Sequence, residues 1–234
     1  AQDIAVPDGF AGSSGTTGGG NATPITVTTA SEFKSVINNN NPAVIIVSGR
    51  LNVGDVSIGS NKTIVGADTT AGLYGGTIEV DGSNYIFQNL TFGPASSDVM
   101  EVSGGTKVFI TQCTFHDAGD EILSIVNQAD FVTVSWCKFY FDHTHSHAFG
   151  HLIGSGDGKT GDRGHLNVTM HHNWYAKGVE GRMPRVRFGK VHIYNNYYNS
   201  VNNDYCIGVG KECNIRLENS YFDTVNNPWD DYGG

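Results

Sequence analysis

Short apolar runs separated by polar turn residues extend along most of the chain. Residues 44–47, with the sequence VIIV, are an example, and Gly, Asn, Asp and Ser repeatedly stand between such runs. Runs of this length, rich in β-branched residues, predict short strands. Residues 1–24 are rich in Gly, Ser and Thr instead and predict an irregular lead-in.

One segment has the periodicity of a helix. Phe33, Val36 and Ile37 recur at the spacing of one helical face within residues 29–37. Thr29 followed by Glu32 three residues later is a capping box. The sequence therefore predicts a short helix, placed where it covers the open edge of the first strands.

Six similar segments end in an aromatic residue, and their spacing carries the fold prediction. The aromatic residues are Phe92, Phe115, Phe139, Tyr175, Tyr198 and Phe222. Their intervals are 23, 24, 36, 23 and 24 residues, so a period of about 23 is broken once by an insertion. A repeat of this length built from short strands predicts a parallel β-helix, in which every coil stacks on the next.

Stacking also leads to predictions for polar and sulfur-bearing positions. Asn89, Gln112 and Asn219 each precede their aromatic by three residues, where stacked amides could form a ladder.

The four cysteines follow the same repeat. Cys113 and Cys137 occupy equivalent places in neighbouring coils, while Cys206 and Cys213 bracket a short turn. We expect disulfides Cys113–Cys137 and Cys206–Cys213 and hence an oxidising compartment. Four buried free thiols are the alternative.

Composition and charge exclude some classes of function. The 14 Lys and Arg residues against 23 Asp and Glu give a net charge of −9, which argues against a nucleic-acid or anionic-membrane partner. No apolar run is long enough for a transmembrane helix. The length of 234 residues suits one domain over residues 1–234.

Basic residues nevertheless concentrate in one part of this acidic chain. Half of them fall within 32 positions: Lys159, Arg163, Lys177, Arg182, Arg185, Arg187 and Lys190. Strand alternation places Arg185 and Arg187 outward on one face, with Arg182 at the preceding turn. Three guanidinium groups so close predict an anionic ligand. The alternatives are a solvated basic surface and pairing with nearby carboxylates.

Carboxylates and histidines form two further groups. Asp98 and Asp120 are 22 residues apart, close to one period, and stacked carboxylates suit Ca²⁺. Two solvated turn aspartates are the alternative. His143, His145, His147 and His151 would share one face of a strand, where they bind substrate, pack, or hold zinc.

Four motifs carry a family resemblance. RMPRVRFG at 182–189 and VHIYNNYY at 191–198, preceded by LIGSGD at 152–157 and LNVTMHHNWY at 166–175, resemble the pectate lyases. The resemblance covers about residues 25–225. It implies an all-β, right-handed parallel β-helix with a short N-terminal capping helix. It also implies Ca²⁺-assisted β-elimination of polygalacturonate.

The resemblance assigns roles to particular residues. Arg182 matches the base that removes the C5 proton, and Arg187 matches the arginine that binds the substrate carboxylate. Asp98 and Asp120 match two Ca²⁺ ligands. Arg185 is expected to bind substrate beside Arg187.

Two positions depart from the family pattern. Ser124 stands where a further Ca²⁺-binding Asp is usual, so Glu121 or the backbone would complete that site. A substrate-binding Lys is missing, and Phe149 or a histidine stands in its place. We expect His147 and His151 to take over its contact with substrate.

The expected protein is a secreted, monomeric pectate lyase that acts on acidic plant cell-wall polysaccharide. A Ca²⁺-independent pectin lyase is one alternative, although retention of Asp98 and Asp120 argues against it. A non-catalytic polysaccharide-binding β-helix is the other, but it would not need Arg182 beside Arg187. No segment after Phe222 is predicted to cover the last coil. We therefore expect that the chain is truncated at Gly234.

Overall fold

The chain winds into a parallel β-helix whose coils each add one strand to each of three sheets. The structure is a computed structural model and describes residues 3–143 and 145–234. Every strand pairing within these residues is parallel and joins neighbouring coils, as in Phe92↔Phe115 and Phe115↔Phe139. The predicted parallel β-helix is therefore confirmed.

Within the described residues the first sheet has nine strands and the other two have eight each. The first sheet consists of β1 (Ile25–Val27), β2 (Ala43–Val47), β5 (Lys62–Gly66), β8 (Ser83–Gln88), β11 (Thr106–Thr111), β14 (Asp130–Ser135), β17 (Asn167–His171), β20 (Lys190–Tyr194) and β23 (Asn214–Glu218). The second consists of β3 (Arg50–Asn52), β6 (Gly72–Tyr74), β9 (Thr91–Phe92), β12 (Thr114–His116), β15 (Lys138–Tyr140), β18 (Trp174–Tyr175), β21 (Tyr197–Tyr198) and β24 (Tyr221–Phe222). The third consists of β4 (Val56–Ser57), β7 (Ile78–Val80), β10 (Met100–Ser103), β13 (Leu123–Val126), β16 (Leu152–Ile153), β19 (Arg185–Val186), β22 (Ile207–Val209) and β25 (Trp229–Asp231).

The aromatic residues that define the repeat form one column inside the coils. From Phe92 to Phe222, neighbouring ring centroids lie 4.6–5.3 Å apart and the rings are stacked. This spacing matches the distance of about 4.8 Å between paired strands. The long interval between Phe139 and Tyr175 leaves the column unbroken, so the extra residues leave the coil as a loop.

Two helices flank the first sheet. α2 (Ala30–Ile37) begins at Thr29 with the predicted capping box and buries Phe33 and Ile37 in the core. α1 (Gly9–Ser13) lies in the segment predicted to be irregular, so that prediction was wrong in part. Its backbone is held by side chains of the first sheet, with Thr133 Oγ1 accepting from Ala11 N at 3.1 Å. Among the described residues, no helix is long and apolar enough to cross a membrane.

The amide ladder lies one position later than predicted. Asn89, Gln112 and Asn219 have φ values of 54°, 55° and 47°, so they make the corner between two sheets. Asn is among the few residues that readily tolerate this left-handed conformation. The ladder is made instead by Asn173, whose N–H donates to Asn196 Oδ1 at 2.8 Å.

Replacing Asn173 by alanine is expected to lower the free energy of unfolding by about 2–3 kcal/mol, because buried groups lose their partners. Its Oδ1 accepts from Cys137 N at 3.0 Å and its Nδ2 donates to Val134 O at 2.9 Å. Urea unfolding measures the change. Asn214→Ala, at an exposed strand position, is the matched control and should change stability little. Equal effects of the two substitutions would contradict a structural ladder.

The predicted disulfides are absent: all four cysteines are free. Cys113 and Cys137 do occupy stacked positions, but stacking keeps parallel Cβ atoms about 4.8 Å apart, whereas a disulfide needs about 3.8 Å. Each thiol donates instead to a carbonyl two residues earlier, at 3.2 Å. Cys206 and Cys213 precede strands of different sheets, β22 and β23, so the turn between them does not bring them into register.

We expect four reactive thiols per chain when the protein is unfolded in guanidinium without reductant. Colorimetric thiol titration makes the measurement. In the native protein Cys113, Cys137 and Cys206 should react slowly because they are buried, and Cys213 faster. A count near zero after unfolding would restore both predicted disulfides, and a count of two would restore one of them.

Candidate functional site

The side chains that could take part in binding or catalysis lie along one edge of the third sheet. Asp98, Glu121, Phe149 and Arg182 each lie just before the start of a strand, β10, β13, β16 and β19 respectively. Parallel bridges from Glu121 to Phe149 and from Phe149 to Gly181 continue the stacking beyond the strands. Consecutive coils thus place acidic, aromatic and basic groups along one edge.

The register corrects the expected stacking of Asp98 on Asp120. Met100 pairs with Leu123, an offset of 23 residues, so Glu121 and not Asp120 follows Asp98. Asp98 is buried, accepts from Ser124 Oγ at 2.5 Å and from Glu121 N at 3.2 Å. Burial raises the pKa of Asp98 to about 7. Ser124 therefore serves as a partner of Asp98.

A second acidic group lies beside this pair. Asp120, Glu121 and His147 bring one ligand atom each within 4.8 Å of one another. His147 Nε2 is 2.8 Å from Asp120 Oδ1 and 3.4 Å from Glu121 Oε1. Asp120 is exposed, whereas the Glu121 carboxylate is buried. The sequence analysis predicted Asp120 as a metal ligand and His147 as a substrate-binding residue, but named Glu121 only as a replacement ligand. Glu121 lies 23 residues after Asp98, which is one repeat, and this spacing could have identified it.

Arg182 lies directly over this group. Its Nη1 contacts Glu121 Oε1, and its guanidinium lies 4.3 Å from the centre of the Phe149 ring. Among the described residues its Nε finds no hydrogen-bond partner. Burial lowers the pKa of Arg182, opposed by Tyr205 and then assisted by the nearby charge of Arg185. Phe149, one of the residues expected at the place of the missing Lys, thus packs against the arginine.

Arg185 and Arg187 lie on the outside of β19 and just beyond it, as alternation predicted. A Cβ atom at Gly208 would lie 2.9 Å from Cγ of Arg185, and one at Gly210 would lie 3.1 Å from Cγ of Arg187. Glycines in the next coil therefore leave room for both side chains. Arg187 donates from Nε to Asp157 Oδ1 at 2.7 Å and from Nη1 to Gly154 O at 3.1 Å.

The remaining basic residues do not form one patch with these arginines. Arg163 pairs with Glu212 and Lys177 pairs with Asp142. Lys190 begins β20 in the first sheet, away from the strand that carries Arg185. Pairing with nearby carboxylates, the alternative left open by the sequence, thus holds for several members of the run.

The histidines do not share a face, which corrects the strand predicted there. The described residues between 141 and 151 form no continuous strand. His145 Nε2 lies 3.0 Å from Asp117 Oδ1, and the His143 N–H donates to the same oxygen at 3.3 Å. His147 alone of the described histidines here reaches the Asp120–Glu121 pair.

His151 is wrong as a substrate-binding residue because it is fully buried. Its Nε2 lies 3.0 Å from the Tyr175 hydroxyl and its Nδ1 lies 3.2 Å from Leu123 O. Burial lowers the pKa of His151 to about 3. The His151 imidazole is therefore neutral and is part of the buried core.

The burial of His151 predicts a dependence of stability on pH. Between about pH 6.5 and pH 3 the unfolded chain binds a proton at this residue and the folded chain does not. The free energy of unfolding should therefore fall on acidification, by up to about 1.4 kcal/mol per pH unit from this residue. His151→Gln should flatten the slope measured by urea unfolding, while His165→Gln, at a half-buried residue whose side chain is 41% exposed, should not. An unchanged slope in His151→Gln would contradict the assignment.

Comparison with known proteins gives a consistent result. The pectate lyase family model matches residues 1–231. A pectate lyase of Bacillus subtilis is 33% identical over 210 residues, covering 72% of this chain and 49% of the relative. A pectate trisaccharide-lyase of Bacillus licheniformis is 30% identical over 243 residues, covering 94% of this chain and 68% of the relative. The chain spans about half the length of the first curated relatives it matches.

Solved structures agree on the architecture. A mutant of a Bacillus subtilis pectate lyase superposes with a TM-score of 0.84 at 25% identity, covering 99% of this chain and 86% of the other. A pectate lyase from Acidovorax avenae superposes with a TM-score of 0.86 at 18% identity, covering 97% of this chain and 77% of the other. The second likeness concerns the fold alone.

Proposed function

The chain belongs to the pectate lyase family, and from this premise we propose that it cleaves polygalacturonate by β-elimination. The observation that supports the proposal most strongly is the position of Arg182, beside an acidic group and near two further arginines on one edge of the third sheet. This arrangement combines a base of lowered pKa with cationic groups for a substrate carboxylate.

The protein's own side chains account for the elimination as follows. Arg187, oriented by Asp157 and the Gly154 carbonyl, binds the uronate carboxylate next to C5. Its charge stabilises the negative charge that develops when the C5 proton leaves. Arg182 takes that proton and the C5–H electron pair forms the C4–C5 double bond, while the C4–O bond breaks and the leaving oxygen keeps the electron pair of that bond and takes a proton from water. Burial disfavours the protonated guanidinium, whereas contact with the Glu121 carboxylate favours it, so Arg182 acts as the base only in its deprotonated fraction.

Ca²⁺, the cation that the family resemblance implies, fits these residues poorly. Ca²⁺ prefers six to eight oxygen ligands. The Asp120–Glu121–His147 group supplies two carboxylates and one imidazole, and one of those carboxylates also contacts Arg182. Asp98, the other predicted ligand, is buried and bonded to Ser124 and Glu121. No step of the elimination is therefore derived through Ca²⁺.

The expected partner is an acidic plant cell-wall polysaccharide, and the proposed location is outside the cell. Polygalacturonate is part of the plant cell wall, so an enzyme that acts on the intact polymer is expected outside the cell. The free cysteines give this proposal no support, so it rests on the proposed substrate alone.

Unsaturated product absorbs in the ultraviolet and gives a direct test. We expect absorbance to rise on polygalacturonate and to remain low on fully methyl-esterified pectin. A rise on the esterified polymer alone would identify a pectin lyase. Co-sedimentation with polygalacturonate without any rise would identify a non-catalytic binding protein. Parallel assays with EDTA report whether a cation contributes.

A further inference from the structure

A histidine nitrogen lies within the acidic group where the resemblance implies an all-oxygen calcium site. We propose that Asp120, Glu121 and His147 bind a first-row transition-metal ion, such as Zn²⁺, in preference to Ca²⁺. The proposal rests on the proposed function for its use in catalysis, but the binding itself is independent of activity. Carboxylate oxygens with imidazole nitrogen are ligands that these metals accept, whereas Ca²⁺ is bound by oxygen.

Two of the three distances between the donor atoms suit a small cation, and the third is within 4.8 Å. His147 Nε2 lies 2.8 Å from one carboxylate oxygen and 3.4 Å from the other. Zinc–ligand distances are about 2.0–2.2 Å, so adjacent donors of a tetrahedral or octahedral shell lie about 3.0–3.5 Å apart. Small adjustments of the Asp120 side chain, which is exposed, would bring all three donors to one ion.

Neighbouring groups orient two of the three donors. The His147 ring meets the Phe149 ring edge to face at 4.4 Å. The Glu121 carboxylate, 3% exposed, is held by Arg182. Metal-binding sites commonly hold their ligands through such outer contacts. The arginine also lowers the net negative charge of the group, so binding of any divalent cation here depends more strongly on the His147 nitrogen.

Among the described residues, no fourth His, Cys, Asp or Glu donor joins this group. Asp98 accepts two hydrogen bonds, from Ser124 and from the Glu121 N–H, and lies outside the group of three. Within the part of the chain that the structure describes, this is the one group of three His, Cys, Asp or Glu side chains with donors this close. The donor set therefore favours nitrogen-accepting metals.

Metal binding to the full chain without substrate tests the proposal. After chelation and dialysis, isothermal titration with Zn²⁺, Mn²⁺ and Ca²⁺ should show one site that binds Zn²⁺ at least about tenfold more tightly than Ca²⁺. His147→Ala should remove most of the Zn²⁺ affinity and change Ca²⁺ affinity little. His147→Asp should shift the preference toward Ca²⁺. The visible spectrum of bound Co²⁺ should change in His147→Ala, because a nitrogen ligand is lost.

His165→Ala is the matched control, since the His165 side chain is 41% exposed and its Nδ1 lies 3.8 Å from Asp130 Oδ2, outside the group of three. This variant should bind Zn²⁺ as the wild type does. Ca²⁺ binding as tight as Zn²⁺ binding, or Zn²⁺ binding unaffected by His147→Ala, would overturn the proposal. Each of those results leaves the proposed elimination open, because product formation on polygalacturonate is assayed separately.

Discussion

Arg182→Lys is expected to lower kcat on polygalacturonate by about 100-fold or more, with KM little changed. Lysine keeps a cation but has a different reach and pKa, so it cannot place a nitrogen where the guanidinium lies, 4.3 Å above Phe149 and against Glu121. An effect on kcat alone is the signature of a group that acts in the chemical step. Initial rates of ultraviolet product formation over a range of substrate concentrations measure both constants.

The matched control is Arg185→Lys, three residues away on the same segment. Arg185 lies over the Tyr232 ring at 4.1 Å and does not contact the Glu121 carboxylate. We expect KM to rise, because Arg185 is expected to bind substrate beside Arg187, and kcat to stay close to that of the wild type. The wild-type rate should rise with pH, because Arg182 acts as a base only when deprotonated and its pKa, although lowered by burial, starts from a high value.

A different outcome would reassign Arg182. If Arg182→Lys keeps most of its kcat at alkaline pH while KM rises sharply, Arg182 binds the substrate carboxylate and another group is the base. His147 is then the first candidate, since His151 is buried and His145 is engaged by Asp117.

The fold was predictable because one periodic feature dominates the sequence. An aromatic residue every 23 or 24 positions must face the same column if the coils stack, and the rings from Phe92 to Phe222 do so. The capping box at Thr29 and Glu32 is a local signal of equal strength. The aromatic repeat is a regular spacing and the capping box joins residues close in sequence. Both features can therefore be found without knowledge of tertiary contacts.

The site was predictable only in part, since a shift of one residue changes which side chains meet. The spacing of 22 between Asp98 and Asp120 suggested stacking, but the register of 23 places Glu121 there. The histidine segment between 141 and 151 lies in the insertion that breaks the repeat, where periodicity says nothing about direction. The ion pair of Glu121 with Arg182 joins residues 61 positions apart, and no local sequence pattern predicts it.

Arg187→Lys is expected to raise KM by about tenfold and to lower kcat/KM at least as much, because a planar, multiply bonding cation is replaced by a point charge. In the wild type, Nε and Nη1 of Arg187 are bonded to Asp157 and Gly154, which leaves its other N–H groups for a carboxylate. A lysine cannot hold these partners and the substrate together.

Asp157→Asn separates positioning from charge at Arg187. It keeps an oxygen acceptor for Nε but removes the ionic partner, so KM should rise less than in Arg187→Lys. Rates on polygalacturonate at several ionic strengths give the comparison, since a carboxylate contact that depends on charge weakens as salt increases. An unchanged KM in Arg187→Lys would place the substrate carboxylate elsewhere, and Arg185, free of any carboxylate partner among the described residues, would be the side chain to substitute next.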